Sequence, residues 1–286
     1  VYKRQEKKYS YLLAVLVLTF VCLFPTLQNE WVNWDDYEYV LNNELVDELS
    51  FPQTIEVFST PEVVGNYHPL TVLSLAVDYY LFEENAWGFH LTNLLLHLLV
   101  TALAFLFVHR LSNSFEAAAI VALLHGIHPM HVESVAWISA RKDLLYTGFL
   151  LAAWWCYLRF LENKASGLFV GGRYTCPLQK DQRLKSRDQP ACQSSGKNYF
   201  SCLLLFVCAL LSKGMAVVFP LLLLLTDYLK NRKIDRKALL EKVPFFLLSL
   251  GFGIAAIITQ QEASAIHQEV QLPLLQAIGL SGFSLL

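Results

Sequence analysis

The run LTNLLLHLLVTALAFLFV, residues 91–108, contains no Asp, Glu, Lys or Arg. A helix of about 20 such residues crosses the roughly 30 Å hydrocarbon layer of a bilayer. Working outward from it, apolar runs at 11–27, 115–127, 144–161, 199–211, 215–229 and 243–259 bring the expected number of spans to seven. The runs at 115–127 and 199–211 are short and imply tilt or local thinning of the bilayer. Composition agrees, with 55% of the 286 residues hydrophobic, 16% charged and a mean hydropathy of +0.41. Soluble domains hold about 45–50% and 25%. With 19 Phe, 13 Tyr and 6 Trp the chain is not disordered. A formal charge of -2 without a basic stripe speaks against a nucleic-acid partner. The expected fold is an all-α, polytopic membrane protein of about seven transmembrane helices.

Seven spans make a statement about charge. With a cytoplasmic N-terminus, segments 1–9, 109–114, 159–198 and 230–242 face the cytoplasm and hold 19 of the 22 Lys and Arg residues. Arg141, Lys142 and Lys213 fall on the other side. The positive-inside rule favours this orientation. The run at 11–27 reads as a retained first helix, because no small-residue cleavage pattern follows it. Residues 28–90 form a long outer loop with twelve acidic and no basic residues. Within it, stretches such as 70–81 read as interfacial helices. Trp31, Trp34, Tyr37 and Tyr39 surround Asp35 and Asp36 and place that pair at headgroup level.

Residues 162–198 read as a cytoplasmic insertion rich in Gly, Pro, Ser and basic residues. Cys176 and Cys192 lie there and are expected to be reduced, whereas Cys22, Cys156, Cys202 and Cys208 fall within spans.

Ionisable residues near bilayer depth are costly and therefore candidates for function. Three clusters share the outer side: NEWVNWDDYEYV at 29–40, HGIHPMHVESVAWISARKD at 125–143, and LSKGMA at 211–216. Asp35 and Asp36 could act as general base or hold a divalent cation. The Arg, Lys and His residues could stabilise a phosphate leaving group. Together they suit group transfer from a lipid phosphate. A zinc reading of His128, His131 and Glu133 is compact in spacing but interrupted by Pro129. Arg141 and Lys142 have a plainer alternative as interfacial anchors. His90, Asn93 and His97 share one helix face that suits interhelix hydrogen bonds. His68 reads as a loop histidine, and Asp227 as a solvated helix end.

The segments NWDDYEYV, NYHPLTVLSLAVDYYLF, GFHLTNLLLHLL, HPMHVESVAWISARKDLL and LLSKGMAVVFPLLLLLTDYL resemble the membrane half of the transmembrane and tetratricopeptide-repeat O-mannosyltransferase family. The resemblance covers most of residues 29–229 and implies a GT-C-like transmembrane catalytic domain over 1–286. It also implies a dolichyl or polyprenyl phosphate mannose donor and Ser/Thr hydroxyls of a protein acceptor. Asp35 would be the general base of an inverting displacement, with Asp36 positioning acceptor or metal. Arg141, Lys142 and Lys213 would meet the lipid phosphate, and His128, His131 and Glu133 would orient sugar or phosphate. The membrane would be the endoplasmic reticulum in a eukaryote or the inner membrane in a bacterium. No 34-residue repeat is visible, so the repeat half that would bind acceptor polypeptide is expected outside the chain. A transporter of lipid-linked sugars is the competing reading, although the internal symmetry common in transporters is missing.

Overall fold

The computed structural model describes residues 2–59, 63, 65–171, 191–232 and 235–262. Eleven α-helices occur among them. They are α1 (Tyr2–Leu23), α2 (Phe51–Ser59), α3 (Pro69–Phe82), α4 (Ala86–Ser112), α5 (Phe115–Ile127) and α6 (Val132–Ala136), followed by α7 (Arg141–Gly171), α8 (Ala191–Ser212), α9 (Phe219–Leu229), α10 (Arg236–Leu240) and α11 (Val243–Glu262). No strand is present among the described residues, where Val63 and Asn66 form an isolated bridge.

Four segments are long and apolar enough to cross a membrane: Ser10–Gln28, Ala86–Ser112, Ile138–Lys164 and Arg236–Thr259. A fifth results if Phe115–Ile127 and Pro129–Ala136, bent by 55° against each other, count as one span. The chain is thus an all-α polytopic membrane protein with four to five candidate spans. The expected seven included two more, for which the described apolar stretches, Gly196–Ser212 and Gly214–Leu229, are shorter than these spans. Within the segment 162–198, α7 runs to Gly171 and α8 starts at Ala191. Residues 172–190, with Cys176, lie outside the described residues, as does the side chain of Cys192.

Local chemistry sets several boundaries. Asn85 and Ser114 cap α4 and α5 by accepting the backbone N–H of Trp87 and Ala117, which satisfies donors that a helix start leaves unpaired. Asn113 ends α4 in the left-handed region at φ 55°, where Asn is tolerated better than most residues. Pro129 pushes His128 to extended backbone (ψ 132°), and this restriction on the residue before proline makes the bend after α5.

Helices α7 and α8 form the most extensive pair, with Tyr157, Phe206, Phe219 and Phe245 buried around them. Helix α5 approaches α1 closely at Gly126, where an added Cβ would collide with Thr19 Oγ1. At the α9 end, Asp227 is fully buried rather than solvated. It accepts from Tyr157 Oη at 2.7 Å and pairs with Lys242 and Arg232. Glu241 joins Arg232 to Lys164 in the same network. Lys142 and Lys164 both sit on α7, about 33 Å apart along the axis at 1.5 Å per residue. One polar cluster therefore sits at each end of a bilayer-length helix.

Candidate functional site

The segment between α1 and α4 reaches the start of α7 through Asp36. This carboxylate is fully buried and accepts the backbone N–H of Ser139 at 2.9 Å and of Val32 at 3.2 Å. Both oxygens are thus engaged by main chain. Its neighbour Asp35 is about one-third exposed, and its Oδ2 lies 3.5 Å from Lys142 Nζ. The two carboxylates do not converge on a common point that a cation could occupy, since Asp36 holds the loop and Asp35 faces an ammonium group. The residues do not fit the divalent-cation reading. Among the described residues no group of three or more His, Cys, Asp or Glu could hold a metal ion, including His128, His131 and Glu133.

Arg141 and Lys142 diverge in the same way. The Arg141 guanidinium is fully buried. It meets Asp78 at 2.5 Å, Asn93 Oδ1 at 2.7 Å and the carbonyls of Phe89 and Ser74 at 3.0 and 3.1 Å. It ties α3, α4 and α7 together and does not line the cavity that Lys142 and Lys213 share. Asn93 completes the joint by donating to the carbonyl of Trp137 at 3.2 Å. Lys142 instead lies beside Asp35, with Nζ 4.8 Å from the ring centre of Tyr39 and 5.5 Å from that of Trp137. Desolvated ammonium groups are stabilised over aromatic faces of this kind.

Lys213 stands where α8 ends and a short 3₁₀ turn over Gly214–Val218 begins. Its ammonium pairs with Asp143. The break is fixed from α3, because Thr71 Oγ1 donates to the Ser212 carbonyl at 3.0 Å. Lys142 and Lys213 both line a cavity of about 470 Å³. Leu210, Met215, Phe252, Ala255 and Ala256 give it an apolar wall, and Asn66, Tyr67 and His68 close its polar end. The cavity thus joins two ammonium groups, each paired with a carboxylate, to an apolar wall.

His128 and His131 do not line this cavity, nor does Glu133. The two histidines join His125 and His97, with the His125 and His131 ring centres 4.4 Å apart and those of His97 and His125 5.4 Å apart. His97 Nε2 lies 2.9 Å from the Gly126 carbonyl. Glu133 is exposed.

His68 was the residue that sequence reasoning undervalued. It is buried, with Nδ1 3.4 Å from the Tyr39 hydroxyl. Burial, reinforced by the charges of Lys142 and Lys213, holds the imidazole down at about 3. Burial likewise pushes the Tyr39 phenol well above its usual range, helped by the Asp35 charge. The signal available beforehand was the Asn-Tyr-His-Pro stretch at 66–69, directly before the outer-loop helix.

A polytopic helical membrane protein with a cavity lined by two lysines and an apolar wall is the class these observations define. Over 94 residues, a third of this chain, it is 37% identical to human protein O-mannosyl-transferase TMTC3, covering 10% of that protein. Over 177 residues, 54% of this chain, it is 31% identical to human protein O-mannosyl-transferase TMTC4, covering 24% of it. It is 28% identical over 154 residues to protein O-mannosyl-transferase F38B6.6 of Caenorhabditis elegans, half of this chain and 22% of that protein. The chain therefore spans a quarter or less of these relatives' length. No family model matches the chain. No solved structure matches it either.

Proposed function

We propose that the chain carries the donor end of a glycosyltransferase site that moves mannose from a dolichyl or polyprenyl phosphate to Ser or Thr hydroxyls of a protein. Similarity to protein O-mannosyl-transferases supports the glycosyltransferase role. The observation that carries the chemistry is the placement of Asp35, about one-third exposed, 3.5 Å from Lys142, which lines the cavity together with Lys213.

In this reading the lipid phosphate sits between the two ammonium groups and the isoprenoid follows the Leu210, Met215 and Phe252 wall. Asp35 takes the proton of the acceptor hydroxyl, whose oxygen attacks the sugar's anomeric carbon. The bond from that carbon to the phosphate oxygen breaks, and the leaving phosphate keeps its electron pair against Lys142 and Lys213. A single displacement inverts the anomeric centre. Fixed positive charge where negative charge develops is the main source of acceleration in such a step, with Asp35 as general base. Asp36 and Arg141 keep the first outer segment and α7 in register. The orientation with a cytoplasmic N-terminus puts this end in the lumen of the endoplasmic reticulum in a eukaryote. The shorter apolar helices α8 and α9 complete seven crossings in that arrangement.

The test uses the protein in nanodiscs with radiolabelled mannosyl prenyl phosphate and a Ser/Thr-rich polypeptide. Label is expected on the polypeptide with wild type and lost in Asp35→Asn, with donor binding retained. Donor binding without transfer by wild type would favour a carrier of lipid-linked sugars instead.

A further inference from the structure

His68 lines the same cavity as Lys142 and Lys213 but belongs to a different part of the chain, the turn that leads into α3. Its side chain does not cap that helix. What it contacts is Tyr39, whose hydroxyl stands 3.4 Å from His68 Nδ1 and also 3.4 Å from the Val63 carbonyl. A phenol donates one proton. Given to Nδ1, it leaves the imidazole hydrogen on Nε2, the nitrogen that Tyr39 does not use. Given to Val63, it requires Nδ1–H and leaves a lone pair on Nε2. An anion in the cavity repels a lone pair and attracts an N–H, so it selects the first arrangement.

We propose that His68, held by Tyr39, is a third phosphate-binding group of the cavity and donates Nε2–H to the phosphate that Lys142 and Lys213 neutralise. This rests on reading the cavity as a lipid-phosphate site and adds a residue to it. The groups facing His68 are Lys142 from α7, Lys213 from the α8 break and Tyr39 from the first outer segment, with Asp35 and Asp143 paired to the two lysines. Burial, reinforced by the charges of Lys142 and Lys213, keeps the ring uncharged, so it supplies direction rather than further charge. Two ammonium groups alone attract any anion of suitable size. A neutral donor in fixed geometry ranks a phosphate monoester or diester against a carboxylate, because hydrogen bonds to charged acceptors are strong and angular.

The experiment measures binding of farnesyl phosphate, farnesyl carboxylate analogue, farnesol and inorganic phosphate to the protein in nanodiscs. Wild type, His68→Leu, His68→Gln and Tyr39→Phe are compared after their melting points have been checked. His68→Leu is expected to weaken farnesyl phosphate binding about ten- to a hundredfold, the range for a hydrogen bond to a charged group, while leaving farnesol unchanged. His68→Gln, which returns an amide N–H near the Nε2 position, should recover to within about threefold. Tyr39→Phe, which keeps the ring under Lys142 but frees the imidazole, should give an intermediate loss. Inorganic phosphate should bind weakly and respond to His68 in the same sense, since it lacks only the apolar tail. Equal phosphate affinity in wild type and His68→Leu would overturn the assignment of His68 while leaving the lysine site intact. Equal loss in the Leu and Gln variants, both folded, would likewise overturn it. Failure of wild type to prefer farnesyl phosphate over farnesol would overturn the cavity reading itself, and this inference with it.

Discussion

Arg141 and Lys142 are adjacent in sequence, yet one is sealed inside a joint of three helices and the other opens onto a cavity. Arg141 is fully buried against Asp78 and Asn93, and Lys142 lies 3.5 Å from Asp35 on the cavity wall. The first helical turn after Ala140 separates them, because consecutive helical positions point about 100° apart. Two basic residues that look equivalent on paper therefore answer to different physics.

Arg141→Gln should destabilise the fold by about 3–5 kcal/mol, the usual effect of leaving one partner of a buried ion pair behind. Lys142→Gln should leave stability nearly unchanged and weaken binding of prenyl phosphate. Thermal unfolding in detergent, read beside lipid binding, separates the two. A Lys142→Gln variant that unfolds like Arg141→Gln would place both residues in the scaffold.

The acidic neighbours divide in the same manner. Asp36→Asn keeps one acceptor oxygen where two backbone donors, on Val32 and Ser139, need partners. A loss of about 1–3 kcal/mol is expected for the unpaired buried group. Asp35→Asn should leave the melting point within error and remove transfer. Retained transfer in a folded Asp35→Asn protein would exclude it as base.

At the opposite end of α7, Asp227→Asn weakens the partner of the buried Lys242 and of Arg232. Destabilisation of about 3–5 kcal/mol is expected. Lipid-phosphate affinity in the surviving folded fraction should not change, because the site lies about 33 Å away along the helix.

Acid should weaken the protein through His68. Its folded value lies near 3 against an ordinary 6.5. Between those limits the unfolded chain binds the proton and the folded chain does not. Stability is therefore fully present above about 6.5 and is lost as pH falls through this window, at up to about 1.4 kcal/mol per pH unit. Urea midpoints taken from pH 7 to 4.5 should fall less steeply in His68→Gln than in wild type.

Gly126→Ala tests the crossing of α1 and α5. The added methyl meets Thr19 Oγ1, and overpacking of this kind costs about 1–3 kcal/mol. Adding Thr19→Ala removes the nearest obstructing atoms, leaving only the milder contact with Thr101, and should recover most of the loss. A double variant no more stable than Gly126→Ala would show that the crossing is not limited by that pair.

The polytopic helical fold was legible because an uncharged run such as 91–108 has few other stable environments. The number of crossings was less so: hydropathy marks 199–211 and 215–229 as apolar but does not say how far their helices reach. Asp35, Lys142 and Lys213 were legible as polar residues in costly surroundings. Arg141 and Asp36 carried the same signal, since burial against Asp78 or a backbone N–H depends on residues more than 60 positions away. His68 was missed because a loop histidine has no period to betray its direction. Asp227 looked like a solvated end because its partners, Arg232 and Lys242, arrive after the helix has finished.

The Arg141 joint also constrains the order of biosynthesis. Asp78, Phe89 and Asn93 leave the ribosome about 50 to 60 residues before the guanidinium that satisfies them. Until α7 is delivered, α3 has an acid with no counter-charge and cannot settle against α4. The first outer segment is then a late-maturing part of the protein, completed by the insertion of a later helix. A chain stalled before residue 141 should expose that segment to proteases, and one stalled after α7 has entered the bilayer should protect it.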